Sequence, residues 1–136
     1  MALSILLVEP DPNSREGLRS LLEAAGHEVG VAEDLAGAFM QLFSGPFDLL
    51  VLDTDRAPRR EASVTVFDLL RLARKVYRPQ PCGILVTSSV EDLPRDLPSQ
   101  GVFAVLEKPV DLARLRQQLE AAEARLTQRT NAVTGS

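Results

Sequence analysis

Five short apolar runs, separated by segments with helical spacing, are the feature that most constrains the fold of this chain. Each run is rich in branched side chains and ends at polar or turn residues. The strongest, FDLLVLD, is nearly all apolar, as a strand covered on both faces should be. The alternation predicts an α/β fold, a doubly wound five-stranded parallel sheet with helices on both faces. The predicted strands are residues 4–8, 27–31, 47–53, 83–87 and 101–106.

The segments between the runs differ in how well they can form helices. Apolar residues at helical spacing predict helices over 13–25, 35–43 and 64–76, and a long last helix that begins after Asp111. Residues 90–100 contain two prolines, so any helix there is short or broken.

Composition indicates one ordinary globular domain. The chain has 136 residues, of which 45% are hydrophobic and 25% charged. One cysteine cannot form an internal disulfide or supply a zinc cluster. We expect a single domain over residues 1–127 and a flexible tail over 128–136.

Charge and hydropathy exclude other classes of function. The net charge of −4 and the 4% aromatic content, with no Trp, argue against nucleic-acid binding. The apolar runs are too short to cross a bilayer, and the N-terminus lacks the basic region of a signal peptide. We therefore expect a soluble, cytoplasmic protein that binds neither nucleic acid nor membrane.

The predicted strand ends carry the chemistry, because the working residues of such sheets lie at the carboxyl ends of the strands. Those ends hold the acids Glu9, Asp11 and Asp53, the hydroxyl of Thr87 and the ammonium group of Lys108. A carboxylate can accept a phosphoryl group as a mixed anhydride. The phosphoryl oxygens then need a cation, hydrogen-bond donors and a divalent ion held by further oxygens. Lys108 and Thr87 meet the first two needs, and the acids meet the third only in part.

The chain resembles the receiver domain of two-component response regulators over residues 3–127. The resemblance rests on five motifs in the family's order, ILLVEPDP, GHEV, FDLLVLD, ILVTSS and LEKPVDLARL. It implies that Asp53 is the phospho-acceptor, that Lys108 contacts the phosphoryl group and that Thr87 is the switch hydroxyl. It also implies that Ser88 can partly substitute for that hydroxyl, and that the peptide bond before Pro109 is cis.

The metal site departs from the family pattern. Two adjacent acids after the first strand bind magnesium in the family, but here Glu9 is followed by Pro10, whose side chain offers no oxygen. The resemblance thus implies a Mg²⁺ site of Glu9, Asp53 and Asp55 that is weak or absent. Asp11 lies one position too far along and is expected to cap the next helix.

Two other regions also depart from the family. The proline that follows the acceptor aspartate comes one position late, as Pro58, in a loop that carries Arg56, Arg59 and Arg60. We interpret this loop as variable and solvated, with a cationic surface for a partner or a phosphoryl group as the alternative. Val105 stands at the family's aromatic switch position, so coupling from the switch hydroxyl would have to differ.

The leading functional hypothesis is a stand-alone receiver in a two-component phosphorelay, a signalling module and not an enzyme. Its partners would be a sensor histidine kinase or a phosphotransfer protein, which supplies the phosphoryl group to Asp53, and a downstream effector that reads the changed surface.

Two alternative functions and one question of assembly remain open. Pro10, Val105 and the altered loop favour a pseudo-receiver, a scaffold whose partners dock without phosphorylation. The Asp53-Thr54-Asp55 triplet echoes the Asp-x-Asp of haloacid-dehalogenase-type phosphohydrolases, although it follows the third strand and no cap segment is evident. A leucine stripe on the last helix predicts core packing first and a homodimer seam second. The stripe consists of Leu112, Leu115, Leu119 and Leu126.

Overall fold

A single sheet of five parallel strands organises the protein. The computed structural model describes residues 2–55 and 65–134, with side chains described up to residue 128. Within these ranges the strands are β1 (Ser4–Val8), β2 (Glu28–Ala32), β3 (Leu49–Asp53), β4 (Cys82–Thr87) and β5 (Val102–Glu107). They lie in the order β2-β1-β3-β4-β5 and all pair in parallel. This arrangement confirms the predicted fold class.

In the described part of the chain, four α-helices cover the two faces of the sheet. They are α1 (Pro12–Ala24), α2 (Leu35–Gln41), α3 (Val66–Val76) and α4 (Leu112–Thr134). Leucines of α1 and α4 pack on one face against Ile5 and Leu7. Residues of α2 and α3 pack on the other face against Leu6 and Val8. Successive residues of β1 therefore face opposite cores, which is why this run is apolar throughout.

The connection from β4 to β5 contains two short 3₁₀ turns, Val90–Asp92 and Pro98–Gln100. This outcome agrees with the sequence, because a proline within a helix removes a hydrogen bond and clashes with the preceding turn. Gly101 follows the second turn, and its backbone φ is 88°. The side chain of Arg74 occupies the space where a Cβ atom at this position would lie. A side chain at that position would meet both backbone strain and a steric clash.

Polar side chains cap the helices as their sequence positions predict. Asp11 is the N-cap of α1, and its carboxylate accepts a hydrogen bond from the Ser14 amide at 2.8 Å. Asp34 caps α2 in the same way, through the Gly37 amide at 2.7 Å. Both contacts satisfy amides that have no partner within the helix.

The last helix runs to Thr134 and so includes most of the segment 128–136, which is predicted from the sequence to be a flexible tail. Its stripe is only partly buried: Leu115, Leu119 and Leu126 lie in the core, whereas Leu112 is exposed.

The side chain of His27 connects α4 to the residue that precedes β1. Its Nδ1 accepts a hydrogen bond from the Leu3 amide at 3.0 Å, and its Nε2 lies 3.2 Å from Glu123 Oε1. An Nδ1 that accepts leaves the proton of the neutral ring on Nε2, which can then donate to Glu123. The side chain is buried, so its two contacts replace water for both partners.

We expect His27→Ala to lower the free energy of unfolding by about 1–3 kcal/mol, because the buried Leu3 amide loses its acceptor. Urea unfolding followed by circular dichroism measures this, with Glu28→Ala as the control at the exposed neighbouring position. Equal losses in the two variants would contradict the role assigned to His27.

Candidate functional site

The carboxyl ends of four strands bring the chemically active side chains together. Glu9 directly follows β1, Asp53 ends β3, Thr87 ends β4 and Lys108 directly follows β5. Parallel strands end at the same edge of a sheet, so these residues lie close together in the fold. Lys108 and Asp53, for example, are hydrogen-bonded although 55 positions separate them in the sequence. All four residues lie at the edge where the sequence predicts them.

Lys108 bridges two carboxylates. Its Nζ lies 2.6 Å from Asp53 Oδ2 and 2.8 Å from Asp55 Oδ2. Its main chain is tied to β4, since the Lys108 amide donates to the Thr87 carbonyl at 2.8 Å, and its peptide bond to Pro109 is cis. Partial burial by itself would lower the pKa of Lys108, but the hydrogen bonds to both carboxylates outweigh it and raise the pKa above its usual range.

The side chain of Asp53 is held on both sides. Lys108 donates to one oxygen, and the Asp55 amide donates to the other, Oδ1, at 2.7 Å. Only 6% of the Asp53 side chain is exposed. Both oxygens of this carboxylate are therefore held in position by hydrogen bonds at the sheet edge.

Asp55 makes contacts that the sequence did not reveal. Its Oδ1 accepts hydrogen bonds from the Ser88 amide at 2.6 Å and the Thr87 hydroxyl at 3.3 Å, and its Oδ2 accepts from Ser88 Oγ at 2.7 Å. Burial alone would raise the pKa of Asp55, but the hydrogen bonds from Lys108 and Ser88 outweigh it and lower the pKa to about 2. Asp55 is therefore a fully charged carboxylate at neutral pH.

The hydroxyl of Thr87 is engaged as both donor and acceptor. It donates to Asp55 and accepts from the Ser89 amide at 3.1 Å. Thr87 is 2% exposed, so its hydroxyl is shielded from water, whereas its partner Asp55 is exposed.

Glu9 is an acid in an unusual environment. It is 2% exposed, and its Oε2 has no hydrogen-bond partner among the described residues. Burial is the largest cause of a raised pKa, and the adjacent Asp53 carboxylate raises it further, to about 7.

A hard divalent cation fits this pair of acids. Magnesium is held by oxygen ligands, keeps several waters and needs only one or two carboxylates beside the oxygens of a phosphorylated ligand. Glu9 offers an unpartnered oxygen next to Asp53, whereas the carboxylate of Asp55 makes its contacts with Thr87, Ser88 and Lys108. Among residues 2–55 and 65–134, no three His, Cys, Asp or Glu side chains are grouped to hold a metal.

Arg15 also contributes to this edge of the sheet, and no sequence signal marked it. Its guanidinium donates to the Glu9 carbonyl at 3.0 Å and to the Pro10 carbonyl at 3.4 Å. It therefore holds the turn that follows β1, and one turn of α1 separates it from Asp11, the cap of that helix.

Two further predictions concern Val105 and the arginine-containing loop after Asp55. Val105 is half-buried and packs against the core formed by α2, α3 and one face of the sheet, so the side chain at this position is aliphatic and not an aromatic ring. Arg56, Pro58, Arg59 and Arg60 lie outside the described residues.

A cleft of about 690 Å³ opens beside Asp53 and Asp55 and extends to Phe67 and Leu93.

Comparison with known proteins identifies the family. The sequence matches the response regulator receiver domain over residues 5–120, so the chain belongs to that family. Such domains are signalling modules of two-component systems, and the motifs of the sequence analysis fall at the strand ends that the structure brings together.

A curated relative is the sensor histidine kinase AruS of Pseudomonas aeruginosa. The two sequences are 32% identical over 118 residues, which cover 87% of this chain and 12% of AruS. The chain thus spans about an eighth of the length of that relative.

Solved structures show the same fold. A CheY-like receiver domain protein from Methanospirillum hungatei has a TM-score of 0.74 at 22% identity, with 94% of this chain and 99% of that chain covered. The response regulator TrrA from Thermotoga maritima, solved in complex with Mg²⁺ and BeF, has a TM-score of 0.70 at 27% identity, with 90% and 99% covered. None of the helices in the described ranges is long and apolar enough to span a membrane.

The raised pKa of Glu9 predicts a pH-dependent cost to stability. Its folded pKa of about 7 lies above its ordinary value of 4.5, so the folded state loses stability as pH rises through that window. Glu9→Gln cannot ionise, and we expect the free energy of unfolding of the variant, relative to the parent, to rise by about 1–3 kcal/mol between about pH 5 and pH 8.

Urea unfolding at both pH values with a chelator present measures this difference. Glu28→Gln, at an exposed position, is the control. A difference between variant and parent that stays constant with pH would show that Glu9 is not destabilised when charged.

Proposed function

We propose that this receiver domain accepts a phosphoryl group on Asp53 and passes the signal on through contacts with other proteins. The observation that carries the proposal is the Lys108 ammonium group 2.6 Å from a carboxylate that is itself only 6% exposed at the sheet edge. A cation at that distance offsets the charge that an incoming phosphoryl group brings.

The transfer of a phosphoryl group to the Asp53 carboxylate is chemically balanced without the addition of a proton. One oxygen of Asp53 forms a bond to phosphorus, and the bond from phosphorus to the donor's leaving atom breaks. With acetyl phosphate as donor, the leaving group is acetate and the product is an aspartyl phosphate. Lys108 would neutralise the phosphoryl oxygens, and the Thr87 and Ser88 hydroxyls, which donate to Asp55, would be additional donors.

Glu9 and Asp53 are the residues that would hold Mg²⁺. The ion, when bound, lowers the charge repulsion between the carboxylate and the phosphorylated donor. Pro10 removes a side-chain ligand from this set, so we propose that the ion binds weakly. The complex of TrrA with Mg²⁺ and BeF supports the expectation that the fold accommodates such a group.

The partners are proposed from the family and from one relative. A sensor histidine kinase or a phosphotransfer protein would donate the phosphoryl group in the cytoplasm, and an effector protein would read the modified surface. AruS carries the matched segment within a much longer chain, whereas the CheY-like domain is nearly as short as this chain. The proposal holds for either arrangement.

A phosphorylation-independent scaffold is the second candidate. Two observations favour it: the side chain of Pro10 cannot replace an acidic ligand, and the half-buried Val105 cannot swing an aromatic ring inward. Under this alternative the partner would bind the unmodified domain.

Intact-protein mass after incubation with acetyl phosphate tests the acceptor function. We expect one phosphoryl adduct that forms faster with Mg²⁺ than with a chelator and is absent in Asp53→Asn. If the parent forms no adduct with acetyl phosphate or with a panel of histidine kinases, the acceptor function is wrong and the scaffold is favoured.

The chain also offers a matched test of Lys108, because Lys75 is its one other lysine and is exposed. We expect Lys108→Gln to slow adduct formation about tenfold or more, since the charge that offsets the phosphoryl oxygens is lost. Lys75→Gln should react at the parental rate. Similar rates for the two variants would remove Lys108 from the proposed role.

A further inference from the structure

The carboxylate of Asp55 already occupies the hydrogen-bond donors around the acceptor. Four donor groups converge on its two oxygens: the Ser88 amide, the Ser88 hydroxyl, the Thr87 hydroxyl and the Lys108 ammonium group. Three of the four contacts are 2.8 Å or shorter, the range of charge-assisted hydrogen bonds.

These donors form an anion-binding site directly beside Asp53. The Lys108 Nζ contacts Asp53 Oδ2 at 2.6 Å and Asp55 Oδ2 at 2.8 Å, so one ammonium group is shared by the two carboxylates. A phosphoryl group bonded to Asp53 would need the same donors, because its oxygens carry negative charge beside this ammonium group.

We infer that Asp55 is an internal competitor of the phosphoryl group: its carboxylate fills the anion site of the unmodified domain and must leave that site before the site can hold a phosphoryl group. The inference deepens the proposed function and rests on it. A phosphoryl group and the Asp55 carboxylate would repel each other at close range if both were held by these donors. Asp55 is a positioning residue here, because it acts on the reaction through the donors that it occupies.

The local structure allows Asp55 to withdraw. Its side chain is 24% exposed, whereas that of Asp53 is 6% exposed. Asp55 lies two residues past the end of β3, outside the sheet hydrogen bonding, and the cleft of about 690 Å³ opens beside it. A carboxylate at this position can exchange its protein donors for water at lower cost than a buried one.

The first test compares adduct formation from acetyl phosphate and Mg²⁺ in the parent, Asp55→Asn and Asp55→Ala. We expect both variants to react about tenfold faster or more, because the donors are free of a competing charge. Asp55→Ala should be the faster of the two, since the Asn carbonyl can still accept one hydrogen bond. Asp92→Asn is the control: Asp92 is exposed and lines the same cleft, so its removal changes the local charge without freeing the donors.

The second test measures the anion site without the covalent step. Inorganic phosphate is titrated into each ¹⁵N-labelled protein, and the amide signal of Ser88 is followed by NMR. We expect tighter phosphate binding in Asp55→Ala than in the parent, by about tenfold or more, and little change in Asp92→Asn. The spectrum of each variant also reports whether it is folded.

The outcomes separate this inference from the acceptor function. Equal adduct rates and equal phosphate affinities in the parent and the Asp55 variants would overturn the competition while leaving the acceptor function in place. Tighter phosphate binding in Asp55→Ala, with no adduct in any variant, would support the competition and contradict the acceptor function. A rate increase of the same size in Asp92→Asn would also overturn the inference, because general electrostatics would then explain it.

Discussion

The ammonium group of Lys108, lying between the carboxylates of Asp53 and Asp55, is the interaction on which the functional edge of this domain depends. Three acids, Glu9 included, converge at the ends of neighbouring strands, and unpaired charges there would repel one another in a poorly solvated place. One cation, 2.6 and 2.8 Å from two of them, offsets the repulsion between their charges. The third acid, Glu9, has no such contact, and its pKa rises toward neutrality instead.

This charge balance links the departures from the family pattern to one another. Pro10 removes one acid from the turn after β1, while Asp55 places another among the donors at the end of β4. Pro10 stands on the side where the proposed Mg²⁺ would bind, and Asp55 stands on the side where the proposed phosphoryl group would bind. Under the proposed function, the edge therefore offers fewer ligands to the metal ion, and the Asp55 carboxylate takes the place of the phosphoryl group in the unmodified domain.

The strands, and the residues at their ends, were predictable because the signals are local. A buried parallel strand must be apolar on both faces, so runs such as the one ending at Asp53 stand out, and the prolines at positions 94 and 98 mark the connection that lacks an α-helix. The contacts of Asp55 with Ser88 were not predictable in this way, because Asp55 lies in the turn past the end of β3 and not at a strand end. The turn geometry that directs a side chain toward one neighbour leaves no pattern in the sequence.

The sequence by itself determined that the chain forms a parallel α/β sheet and that acids, a hydroxyl and a lysine lie at its carboxyl edge, because apolar periodicity and residue order are properties of the chain alone. Only the tertiary structure decided which of these groups are charged and which are paired. The pKa of Glu9 rises through burial beside Asp53, and that of Asp55 falls through hydrogen bonds from Lys108 and Ser88 that prevail over its own burial. Both effects depend on distances and solvent exclusion that exist only when the strands are assembled.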